Sequence, residues 1–146
     1  MHACSRPLLA ALAVFGAAAA APAQPPYPAA IPADIQPYVP RNIGNYFVGF
    51  LVSPAQPRPM ARELFVRHQA YLRRQFEAGV YRVGGPLTDG GHIRGMVILA
   101  APTEEAARAI LAGDPAVQEG VFAVELHPAM FPDLSALRVE YPAAAD

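Results

Sequence analysis

The apolar pattern of this chain predicts an α+β domain of order β-α-β-β-α-β, with a four-stranded antiparallel sheet and both helices on one face. Two observations carry this. Short runs rich in aromatic and β-branched residues recur at 46–52, 81–85, 92–100 and 121–127, each bounded by turn residues. Two segments with a helical period, each with its own start or stop signals, separate the first strand from the second and the third from the fourth. The arrangement is ferredoxin-like.

Each element rests on its own residues. Tyr46 to Val52 (YFVGFLV) ends at Ser53-Pro54 and reads as a strand. After a Pro-rich loop, Met60 to Ala78 carries Ala61, Phe65, Leu72 and Phe76 on one helical face, with Glu63, Arg67, Arg74 and Glu77 opposite. Gly79 is a suitable stop. Tyr81 to Gly85 is a short strand, Thr88-Asp89-Gly90-Gly91 a turn, and His92 to Ala100 the returning strand of a hairpin. Thr103 caps a second helix whose first turn holds Glu104 and Glu105, favourable for the helix dipole, and which ends at Gly113. Asp114-Pro115 opens one further turn of helix, closed by Gly120, and Val121 to His127 is the last strand.

Both faces of the sheet are apolar. Tyr46, Val48, Phe50 and Val52 alternate with Phe47, Gly49 and Leu51, and in the third strand Ile93, Val97 and Leu99 alternate with Met96 and Ile98. One helix layer covers one face, so the other needs a second subunit or the C-terminal tail. The tail, 129–146, is short and interrupted by proline, which favours a sheet-to-sheet homodimer. Leu137 to Tyr141 is the one stretch of it fit to add an edge strand.

The N-terminus reads as an export leader. Arg6 precedes an uninterrupted apolar run from Leu8 to Ala20, and Ala21-Pro22-Ala23 is a small-x-small cleavage site before Gln24. The run is short of the ~20 apolar residues of a membrane span, the alternative being an uncleaved anchor. This predicts a signal peptide over 1–23, a Pro-rich spacer over 24–44, the domain over 45–128 and a C-terminal extension over 129–146. The product is expected to be periplasmic or secreted, with no stable membrane association after cleavage. In the spacer, proline stands at 25, 26, 28, 32, 37 and 40, a polyproline or disordered composition. The alternative is an arm anchored on a partner by Tyr27, Ile31 and Tyr38. The only cysteine, Cys4, leaves with the leader, which excludes thiolate catalysis, disulfides and Cys-ligated metals in the mature chain. The net charge is −1, every basic residue is Arg, and no Arg cluster marks one face, so nucleic acid is not an expected partner.

Four sequence words carry a family resemblance. His68-Gln69-Ala70-Tyr71-Leu72 is similar to an H-x-x-x-L word, and Gly84 to Gly91 (GGPLTDGG) resembles a G-P-x-x-D-G segment. Asp114 to Gly120 (DPAVQEG) is similar to D-P-x-V-x-x-G, and Glu125-Leu126-His127-Pro128 to an E-x-H-P ending. In this order they identify the chain as a member of the YCII-related (YciI-like) family. The resemblance implies a dimeric α/β barrel and a site around the helix histidine and the aspartate of the D-P word. Most relatives have no assigned reaction, while at least one is associated with dechlorination of a chlorinated hydroxyquinol. Ala129 departs from the pattern, since relatives often carry an aromatic after His-Pro, and the leader is atypical.

The candidate site residues have competing readings. His68 lies about 60° round the helix from the centre of the apolar stripe, between core and cleft. It is either a packed histidine satisfied by a carbonyl or a proton-transfer group. Asp114 followed by Pro115 is a complete N-cap by itself, yet one carboxylate oxygen can cap while the other orients His68. Gly85 and Pro86, with Gly84, form a strand-end bend without phosphate-loop spacing; close backbone approach is one reading, and a secondary contribution of the glycine N–H groups to a ligand pocket is the other. Tyr71 and Arg94 are candidates to meet a phenolic or anionic ligand, or to pack. His92 and His127 have no metal-ligand spacing with His68, so no metal and no cofactor are expected. These residues predict a cofactor-independent enzyme of lyase or isomerase type, with His68 and Asp114 moving a proton on a small cyclic or aromatic substrate. A non-catalytic ligand-binding or structural dimer is the alternative.

Overall fold

In the computed structural model, residues 32–142 are described. The expected leader, the first part of the spacer with its anchors Tyr27 and Ile31, and the last four residues lie outside the described residues. Before the sheet there is one turn of 3-10 helix, Gln36–Tyr38, with none of its residues buried. Tyr38, the third expected anchor of an arm, is 85% exposed.

The elements follow the expected order: β1 (Ile43–Val52), α1 (Arg62–Glu77), β2 (Tyr81–Pro86), β3 (Ile93–Leu99), α2 (Glu104–Ala112), α3 (Pro115–Gln118) and β4 (Ala123–Pro132). The four strands make one antiparallel sheet in the order β2-β3-β1-β4, the ferredoxin-like topology. Register assigns the faces. Phe47 pairs with Leu99, Gly49 with Val97 and with Leu126, and these side chains meet α2 through Ala107 and Leu111 in the main core. The alternate set, Tyr46, Val48, Phe50, Met96 and Ile98, lies on the opposite face.

The last strand differs from expectation. It starts at Ala123, runs on to Pro132, and pairs with a β1 that begins at Ile43 rather than Tyr46. Pro128 reads as a stop in sequence because it lacks an N–H. β4 is an edge strand, however, and a proline whose nitrogen faces the free edge interrupts no ladder bond. His92, expected to open β3, lies in the hairpin loop, where its carbonyl accepts from the Ser53 amide at 2.9 Å. The tail adds no strand at 137–141. It is instead anchored by polar contacts: the Tyr46 hydroxyl donates to Asp133 Oδ1 at 3.2 Å and accepts from the Leu134 amide at 2.9 Å.

Helix ends match their residues. Thr103 accepts from the Ala106 amide at 3.2 Å, with Glu104 and Glu105 in the first turn. Asp114 caps α3 by accepting from the Ala116 amide at 2.9 Å, with Pro115 at the first helical position. α1 has no side-chain cap, so its start depends on packing. Leu64 of α1 meets Ala116 and Val121 in a second small core, and this contact sets α1 beside α3.

The phase of α1 also differs. The expected buried stripe was Ala61, Phe65, Leu72 and Phe76, yet the buried residues are Leu64 and His68, and Phe65 is 49% exposed. His68 is therefore in the middle of the buried face rather than at its margin. Of the expected stripe, Phe65, Leu72 and Phe76 border a cavity, and Leu72 and Phe76 also pack against the main core.

Candidate functional site

The cavity, about 810 Å³, runs along the flank of α1. Phe65, His68, Gln69, Leu72 and Phe76 form the helix side. Gly84–Leu87 and Arg94–Val97 of the β2-β3 hairpin form the sheet side, and Arg58 and Phe122 come from the loops before α1 and after α3. Val139 and Tyr141 of the C-terminal segment complete the lining. Gly84 permits the close approach of helix and strand: a Cβ there would sit 2.8 Å from Val97 and 3.2 Å from the Phe76 ring.

His68 and Asp114 meet at this cavity. The imidazole Nδ1 lies 2.9 Å from Oδ1 and 2.8 Å from Oδ2 of Asp114, and both side chains are buried. An ionised carboxylate only accepts, so Nδ1 carries the hydrogen. Oδ1 at the same time accepts the Ala116 amide, so capping and orienting coexist in one carboxylate. Nε2 is left without a protein partner among the described residues, on a side chain that lines the cavity. Phe65 and Phe122 flank the ring, with centroids at 6.4 Å and 5.8 Å. An Nδ1–H tautomer held by a carboxylate presents a basic Nε2 lone pair, the arrangement a general base needs.

The other expected site residues divide. Gly85, Pro86 and Arg94 line the cavity. Tyr71 does not: it packs against the main core, and its hydroxyl donates to the Ile110 carbonyl at 2.5 Å. Gly113 makes this possible, since a Cβ there would stand 2.7 Å from the Tyr71 hydroxyl. Burial raises the Tyr71 phenol above its ordinary pKa, the Asp114 carboxylate adds to the rise, and Arg74 opposes it. Residue type cannot separate a core tyrosine from a ligand tyrosine on the same helix. His92 Nε2 lies 4.0 Å from an exposed Glu125 carboxylate oxygen and His127 packs on Phe50, both outside the lining. Among the described residues no group of three or more His, Cys, Asp or Glu side chains is placed to hold a metal ion.

Sequence reasoning passed over several cavity residues. Phe65 and Phe76 carried a signal that read as core, which is half of the answer for Phe76, since it packs on the main core and lines the cavity as well. Phe122 and Tyr141 carried none. Tyr141 is held from behind by Arg73, whose guanidinium carbon lies 4.9 Å from the ring centroid and whose Nε donates to Glu77 at 2.7 Å. Burial raises the Tyr141 phenol, the Glu77 carboxylate adds to this, and Arg73 lowers it.

The family model of the YCII-related domain matches residues 51–127. Among solved structures the chain is similar to 5-chloro-2-hydroxyhydroquinone dehydrochlorinase from Burkholderia phenoliruptrix AC1100 in complex with 2,5-dihydroxybenzoquinone. The identity is 21% and the TM-score 0.40, over 57% of this chain and 91% of that one. No curated protein matches the chain.

Proposed function

The chain belongs to the YCII-related domain family, and from that premise we propose that it is a cofactor-independent enzyme acting on a small cyclic or aromatic molecule. His68 transfers the proton and Asp114 orients it. The observation that carries this reading is the buried Nδ1–carboxylate contact of 2.8 Å on a histidine that borders the cavity. In the proposed step Nε2 removes a proton from the bound molecule and returns it to a neighbouring atom or to a leaving group, which is lyase or isomerase chemistry. The imidazolium formed on the way is stabilised by Asp114. Gly85, Pro86 and Arg94 position the ligand.

A thermal-shift screen of small cyclic and aromatic compounds finds ligands, and proton NMR in D₂O then follows exchange of their carbon-bound hydrogens. Exchange by the natural protein and none by His68→Gln is the expected result. Ligands that bind without any exchange would make this a binding module. The apolar cavity favours that second reading if the first fails.

Export to the periplasm or outside the cell, with cleavage before Gln24, is part of the same proposal and rests on the leader sequence. So is a homodimer. It is supported by the apolar sheet face turned away from the helices, where Val48, Phe50 and Met96 are only half-buried.

A further inference from the structure

The family match ends at residue 127, and the cavity does not. Val139 and Tyr141 come from a segment without regular secondary structure, fixed at two points. At its start the Asp133 amide donates to the Asn42 carbonyl at 2.6 Å, and the Leu134 amide to the Tyr46 hydroxyl at 2.9 Å. Ser135 then bonds back to Asp133, its amide at 2.9 Å and its hydroxyl at 2.7 Å. At the far end Arg73 stacks on Tyr141 while Glu77 holds Arg73. Arg73 itself is not a lining residue, so it fixes the ring from outside the cavity.

The chemistry of the lining is one-sided. Phe65, Phe76, Phe122 and Tyr141 bring four aromatic rings to it. Its charged or chargeable side chains are Arg58, Arg94 and His68, apart from the Tyr141 phenol, and no Asp or Glu is present to receive a cation. Neither arginine makes an ion pair among the described residues; each reaches only a backbone carbonyl, at 3.4 Å. Flat apolar rings meet aromatic edges and faces here, and the full charges that a ligand meets are those of the two arginines, which oppose a cation and favour an anion.

We infer that Tyr141, from beyond the family-matched segment, is a specificity-determining wall of the cavity, selecting flat ring ligands that are neutral or anionic, with Arg73 as its positioning residue. This rests on reading the cavity as a small-molecule site. It adds what that molecule looks like and which residue sets the limit.

The test is a fluorescence titration with 2-naphthol, which is clean because the chain has no tryptophan. The natural protein binds 2-naphthol and binds protonated 1-naphthylmethylamine about tenfold more weakly. Tyr141→Ala weakens 2-naphthol roughly tenfold, while the larger 9-phenanthrol, given the vacated space, loses little. Arg73→Gln weakens 2-naphthol about threefold, and Tyr141→Phe stays close to the natural protein. The last two variants leave the ring in place and guard against a folding defect in Tyr141→Ala. No binding of 2-naphthol, equal binding of the cation, or equal losses for both ring sizes in Tyr141→Ala overturns the proposal. The readout is equilibrium binding, so this can fail while His68-dependent exchange holds, or hold while the exchange fails.

Discussion

Nδ1 of His68 lies within 2.9 Å of both carboxylate oxygens of Asp114, and one of those oxygens also caps α3 through the Ala116 amide. Two different jobs thus fall on one buried side chain, and substitutions can separate them. Asp114→Ala removes the cap and leaves an imidazole N–H buried without its acceptor, for a loss of about 3 kcal/mol in urea unfolding. Asp114→Asn keeps a cap acceptor of nearly equal quality and is expected to lose less than half as much. Equal losses would assign the whole effect to the charge and none to the cap.

Tyr71→Phe tests the reassignment of that residue. Losing the hydroxyl takes away one of the two donors of the Ile110 carbonyl, the Gly113 amide at 3.1 Å remaining, at a cost of about 1 kcal/mol. Binding of any cavity ligand should be unchanged, because Tyr71 is not in the lining. A variant of natural stability but weakened binding would return Tyr71 to the site.

Alkaline pH should weaken the fold through two core phenols. Burial pushes both Tyr71 and Tyr81 above the ordinary tyrosine range, so the folded state holds the phenolic protons more tightly than the unfolded state does. That contribution is complete below about pH 10 and is lost as pH rises through the raised values. Urea midpoints should therefore fall above about pH 10, with phenolate absorbance appearing as the protein unfolds. Tyr81→Phe should flatten the decline; an unchanged pH profile would exclude Tyr81 as its source.

For the proposed homodimer, register now separates the two sets of strand residues that alternation alone left equivalent. Val48→Asp with Phe50→Asp, on the face away from the helices, should give a folded monomer by light scattering. Phe47→Asp faces the main core and should unfold the protein instead. A natural protein that scatters as a monomer at micromolar concentration would refute the dimer.

Export is checked by intact mass. Material recovered outside the cytoplasm should begin at Gln24. Retention of Cys4 in that material would argue for an uncleaved anchor.

The fold was readable because its signals are local. Alternation marked the strands, Thr103 and Asp114 marked helix starts, and Thr88 to Gly91 marked the hairpin. The errors have a common cause, which is that sequence patterns show how apolar a side chain is but not what it faces. Phe65 has the period of a core stripe while lining a cavity at 49% exposure, and Phe76 both packs on the core and lines that cavity. Pro128 looks like a strand end until the strand is known to lie at the edge. His68 and Asp114 were recoverable as a pair only through the family words, since nothing local connects side chains 46 positions apart. Tyr141 belongs to a tail whose course depends on anchors elsewhere, above all on Tyr46.

The order of elements divides the domain at the exposed hairpin loop into two β-α-β halves, with His68 on the first and Asp114 on the second. Neither half contains the pair. Its formation therefore marks the docking of one half on the other, as does the sheet itself, since its strand pairs β2-β3, β3-β1 and β1-β4 all join one half to the other. If the chain were cut between Asp89 and Gly90, the two fragments would each carry an incomplete site. The environment of the His68 ring, followed by isotope labelling of the first fragment alone, would then change only as the second fragment joins it. The same contact that orients an imidazole is thus an internal gauge of assembly.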